Sequence, residues 1–126
     1  MSKPPVTRKG RTHKQQIGQI TAYVTVNRDA HGHIIEVFAK ADALRGHLDM
    51  ACRLMSLGLQ RRADVPTIVR HMRGDRTEPC GIAGQPTSIY DALARVLQAE
   101  VDADAGTDGK AGAQTAEDGS AMLATS

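Results

Sequence analysis

The chain has 126 residues, a length that suits one domain, with a formal net charge of +2 and only three aromatic residues, Tyr23, Phe38 and Tyr90. No apolar run reaches the ~18 residues that cross a membrane, and the basic N-terminus MSKPPVTRKGRTHKQQ lacks the apolar stretch of a secretory signal. The two cysteines, Cys52 and Cys80, make no disulfide framework, so neither a membrane span nor a stapled secreted scaffold is expected, and a reduced, cytoplasmic setting is.

The charge is divided unevenly. Residues 1–99 carry 15 of the 16 Lys+Arg and 8 of the 14 Asp+Glu, a net of +7, whereas residues 100–126 carry one Lys and six acids, a net of −5. Residues 1–16 read as a flexible basic arm. In GQITAYVTVN, from Gly18, the residues Ile20, Ala22, Val24 and Val26 alternate with Thr21, Tyr23 and Thr25, which is the period of a strand. NRDAHG is a turn signal, and HIIEVFAK reads as a second strand, making a hairpin. After Asp42 the period changes: Leu44, Leu48, Ala51, Met55 and Leu59 fall at helical spacing, with Cys52 and Leu54 widening the stripe. Asp64 has the place of an N-cap for a shorter helix with Pro66 in its first turn and Ile68, Val69 and Met72 inward. A long loop, RGDRTEPCGIAGQP, leads to a third helix burying Ile89, Leu93, Val96 and Leu97. Ser88-x-x-Asp91 has the form of a capping box: the Ser oxygen accepts the N–H of the third helical residue and the acid reaches back, while its charge meets the positive end of the helix dipole.

The expected fold is therefore α+β, an antiparallel β-hairpin followed by three helices (ββααα). The folded unit is expected over 17–99, between the basic arm and a disordered acidic tail over 100–126. Two strands alone are marginal. The sheet face that bears Tyr23 and Phe38 is open to cover by the 73–86 loop or by a second copy, and a homodimer that extends the sheet is one solution.

Taken in order, GQITAYVTVNRDAHGHIIEVFAK, MACRLMSLGLQRRADVPTIVRHMRG and PTSIYDALARVL resemble the TSCPD domain over roughly residues 17–98. The family's signature Thr-Ser-Cys-Pro-Asp stands here as Thr87-Ser88-Ile89-Tyr90-Asp91, so the three residues a helix start needs are kept and the thiol is not. The domain occurs at the C-terminal end of adenosylcobalamin-dependent ribonucleotide reductases and as short freestanding proteins. The resemblance implies an association with deoxyribonucleotide synthesis. It does not imply ribonucleotide reduction by this chain: the full-length enzymes use a large barrel, a thiyl-radical cysteine and a reducing cysteine pair, and adenosylcobalamin is expected to belong to them. A reductase label on this chain would be inherited from the neighbouring domain.

The residues point the same way. No CxxC is present; His31 and His33 lie two apart on one strand, Cys52 is mid-helix, and Cys80 sits in a loop near His71, so neither a zinc site nor an oriented nucleophile is assembled. GIAG at 81–84 lacks the strand, helix and following Lys of a phosphate loop. No catalytic residue, metal or cofactor is assigned. Arg61, Arg62, Arg70, Arg73 and Arg76 cluster around the second helix, a pattern that suits an anion or nucleotide and equally a solvated surface. Thr87, Ser88 and Asp91 are expected to hold the third helix. The leading expectation is a non-catalytic accessory domain that contacts a reductase subunit or a nucleotide. The alternatives are a small nucleic-acid-binding protein using the same basic residues and the arm, and, more weakly, a metal or thiol module.

Overall fold

The computed structural model describes residues 9–112, with side chains over 10–105. Three strands, β1 (Lys9–Ile17), β2 (Ile20–Arg28) and β3 (Ile34–Ala41), form one antiparallel sheet in the order β1-β2-β3. They are followed by α1 (Arg45–Gln60), α2 (Val65–Met72) and α3 (Ile89–Gly112). The α+β order is as expected, with one strand more. Residues 9–16, assigned above to a basic arm, are most of β1, and α3 continues through Glu100 to Gly112 where an acidic tail was expected. Residues 1–8 and 113–126 of those two segments lie outside the described residues.

A two-residue turn joins β1 to β2, with Ile17 opposite Ile20 and Gly18 at φ 61°, the left-handed conformation that such turns demand. Between β2 and β3 the Asp29 carboxylate accepts the N–H groups of His31 and His33, each at 2.9 Å, an Asx-type clamp that closes the loop. A register shift follows at Asn27/Arg28. It lets the neighbours Ile34 and Ile35 both be buried, which strict alternation would forbid.

One face of the sheet supplies Ile17, Ala22, Val24, Val26 and Val37 to the core. The helices supply Leu48, Cys52, Met55, Leu59, Val69, Ile89, Leu93, Val96 and Leu97. The core is aliphatic because its one large aromatic contributor is Tyr90, which packs at its margin. α1 also seals the outer edge of β3: Val37 N–H donates to Ser56 Oγ at 2.9 Å, Ser56 Oγ donates to Val37 C=O at 3.0 Å, and Gln60 donates to Ile35 C=O at 3.3 Å. Three of the backbone groups that a terminal strand leaves unpaired thus end on helix side chains. At α2 the Asp64 cap accepts Thr67 N–H at 3.2 Å, with Pro66 inside the first turn. The other sheet face keeps Tyr23 and Phe38 exposed. The 73–88 loop does not cover it; it is tied to the start of α3 instead.

Candidate functional site

The start of α3 is where the polar residues converge. Ser88 Oγ accepts Asp91 N–H at 3.0 Å, the cap expected from the spacing. Asp91 does more than return that contact. Its Oδ1 accepts from Arg73 at 2.9 Å and from Gly74 N–H at 2.7 Å; its Oδ2 accepts from Thr87 N–H at 2.9 Å and from Arg95 at 3.0 Å. The backward reach goes to Thr87, one residue beyond the cap itself. Burial alone would raise this fully enclosed carboxyl, but the Gly74 and Thr87 N–H donors and the two guanidinium groups outweigh it and hold it at about 2. Thr87 Oγ1 donates to Asp75 C=O at 2.6 Å and Ser88 Oγ donates to the Asp75 carboxylate at 2.9 Å. Thr87, Ser88 and Asp91 therefore staple the loop from Arg73 to Asp75 onto the helix start. Every acceptor of Asp91 faces a protein donor, so the carboxylate is a structural anchor with no free lone pair aimed at a reacting group.

A second buried carboxylate lies three turns along α3. Glu100, 2 % exposed, accepts from His13 at 2.7 Å and Arg11 at 3.1 Å on β1, and from Arg28 at 2.9 Å on β2; Arg28 also reaches Asp104 at 3.0 Å. Burial pushes the Glu100 carboxyl up, and the Arg28, His13 and Arg11 contacts more than offset it, leaving its pKa lowered. This cluster explains both departures from the expected domain limits. Arg11 and His13 lie on the core-side face of β1, where the Glu100 carboxylate meets them, and Glu100 belongs to the fold because it holds those side chains and Arg28. Sequence spacing gives no warning of a contact 87 residues away; the only signal is the alternation of Arg11 and His13 with Thr12 and Lys14.

The five arginines are spread over different tasks. Arg73 is bound to Asp91, Arg62 reaches Asp29 at 3.5 Å, and Arg70 donates to Thr67 at 3.0 Å; Arg61 and Arg76 are exposed. An open cleft of about 370 Å³ lies beside Arg62, lined by His33, Ile34, Leu59, Ala63, Asp64, Val65 and Pro66. Its polar groups are already engaged, Arg62 with Asp29 and Asp64 with Thr67. Cys80 is exposed and donates to Arg76 C=O at 3.5 Å, while Cys52 is buried, with its thiol pushed up to about 12 by burial and by Asp49. Among the described residues no three His, Cys, Asp or Glu side chains are grouped so as to hold a metal, and no helix is long and apolar enough to cross a membrane.

A small α+β domain whose third helix begins on a Thr-Ser-x-x-Asp staple is the class that fold and site define. The TSCPD domain profile matches residues 2–101, and the chain belongs to that family, which is known from ribonucleotide reductase-related proteins. The matched span ends just after Glu100, which agrees with that carboxylate being part of the fold. At the position of the family's cysteine stands Ile89, buried in the core. No curated protein and no solved structure matches the chain.

Proposed function

We propose that this chain is a non-catalytic accessory domain of deoxyribonucleotide synthesis in the cytoplasm, acting by docking on a ribonucleotide reductase subunit. The observation that carries it is the outward face of α1. Met50, Leu54 and Leu57 are exposed at 54 %, 63 % and 48 %, spaced so as to line one stripe opposite the buried Leu48, Cys52, Met55 and Leu59. A surface helix normally turns charge to solvent; one that is apolar on both sides has a second surface to bury. Arg53, paired with Asp49 at 3.0 Å, flanks the stripe and the exposed Arg61 closes its C-terminal end, so the matching surface on the partner is apolar, with an acid opposite Arg61. The two buried carboxylates support a binding rather than a catalytic role, since their acceptors are taken up by structural donors.

The test is calorimetric titration of the purified full chain into the catalytic subunit of the host's reductase. Saturable binding that Leu54→Asp abolishes, with the variant still folded by circular dichroism, is the expected result. No heat of binding by wild type, or equal binding by Leu54→Asp, refutes the proposal.

A further inference from the structure

We infer that the outer face of the sheet is a binding site for single-stranded nucleic acid. The chain has three aromatic residues, and two of them stand on this face in water: Tyr23 at 48 % and Phe38 at 40 % exposure. The register fixes their neighbours. Lys14 lies directly opposite Tyr23 on one side and Lys40 directly opposite it on the other, so one row across the three strands reads Lys–Tyr–Lys. The next row reads Thr12–Thr25–Phe38, with the two threonine hydroxyls bonded to each other at 2.8 Å. Side chains in such rows stand about 5 Å apart. Two exposed rings are thus set on adjacent strands with an exposed ammonium on each flank of Tyr23.

Each part answers one part of a single strand. An exposed ring offers a stacking surface to a base whatever its identity, and the lysines meet the phosphates that follow it. The threonines keep the platform flat and polar between the rings. The remaining charges lie toward its ends: Glu36, which accepts from Asn27 at 2.8 Å, and Asp42, which accepts Thr21 N–H at 3.1 Å. A duplex would hide its bases from the rings. The site lies apart from the outward face of α1, which stands at the β3 edge of the sheet, and from the arginines around α2, so it stands or falls independently of the reductase contact.

The test is fluorescence anisotropy of a labelled 20-residue oligothymidylate with the full chain, over a series of salt concentrations. Tyr23→Ala is expected to weaken binding roughly 5- to 100-fold, the loss of one stacked base. Lys14→Ala with Lys40→Ala is expected to weaken it and to flatten the slope of log K against log salt by about 1.4, two phosphate contacts in a single strand. Both lysines are exposed, so their result holds even if Tyr23→Ala is unstable. Leu54→Asp and Arg61→Ala/Arg70→Ala are expected to bind as wild type. The proposal is overturned if the oligonucleotide does not bind. It is overturned equally if both sheet variants bind within twofold of wild type, or if the arginine pair removes binding and the lysine pair does not. Equal displacement by thymidine monophosphate at matched base concentration would make the site one for a free nucleotide. Sedimentation of the wild type as a dimer that the lysine pair splits would make the face an interface between copies.

Discussion

Replacing Asp91 with Asn keeps the shape of the side chain but turns one of its oxygens into a donor, where all four surrounding groups already donate. Two donors, either Arg73 with Gly74 N–H or Thr87 N–H with Arg95, then face an NH₂ group. The carboxyl titrates at about 2 in the fold against an ordinary 3.8, so its ionised form is stabilised by folding by about 2 kcal/mol. Losing acceptors for buried donors adds roughly 1–3 kcal/mol, and removing one partner of a buried ion pair costs about 3–5 kcal/mol in all. In urea unfolding followed by circular dichroism, with a slope of about 1–3 kcal/mol/M for a domain of this size, the midpoint at pH 7 is expected to fall by roughly 1–5 M. The sign with pH follows from the lowered value. The ionised carboxylate contributes fully above the unfolded pKa of 3.8, and its contribution is lost as pH falls through about 2. The gap between wild type and Asp91→Asn therefore narrows toward pH 2.5. An unchanged midpoint at pH 7, or a gap that stays constant down to pH 2.5, would refute the anchoring role.

Glu100→Gln leaves Arg11, His13 and Arg28 without their shared charge and is expected to cost about 2–4 kcal/mol, read as a lower thermal midpoint. A chain ending after Ala105 is expected to unfold as cooperatively as the full chain, while one ending after Gln98 is not, because only the first keeps Glu100; equal cooperativity of both removes α3's C-terminal half from the folding unit. Ser56→Ala exposes the β3 edge groups of Val37 and is expected to cost about 1–3 kcal/mol, seen as faster amide exchange at Val37. With a chromogenic disulfide reagent at pH 8, Cys80 is expected to react in one fast phase and Cys52 only on unfolding, since one thiol is exposed and the other is buried with its pKa at about 12; two fast thiols would contradict the packing of α1.

Much of the fold is legible in the sequence because it is written in apolar periods. The β2 alternation, the Asp64 cap and the Ser88 cap each state a local rule that the structure obeys; the α1 stripe holds except at Leu54, which faces solvent, and Asp91 reaches back to Thr87 instead of Ser88. β1 was hidden for a physical reason: Arg11 and His13 on its core-side face are polar, Glu100 rather than an apolar neighbour holds them there, and no local window contains both sides of that contact. The turn at Gly18 was hidden too, since Gly-Gln is a weaker signal than Asn-Gly and the strand period runs straight up to it. Grouping the arginines by their position along the chain failed to separate them by partner. Arg73 and Arg62 have carboxylates, Asp91 and Asp29, supplied from distant segments. The sheet platform was legible only in its residues; that Lys14 and Lys40 flank Tyr23 follows from a register that includes the strand the sequence concealed.

The hydrogen bonds from Ser56 and Gln60 to β3 also limit how copies of this protein can associate through their sheets. With the middle of the β3 margin taken by its own helix, the described sheet offers β1 as its more open edge for another strand. Two molecules could join there in a single ladder, and the joint would then have a helix-sealed margin at both ends. Growth by strand addition would stop at two, so a lengthening filament would first require α1 to detach.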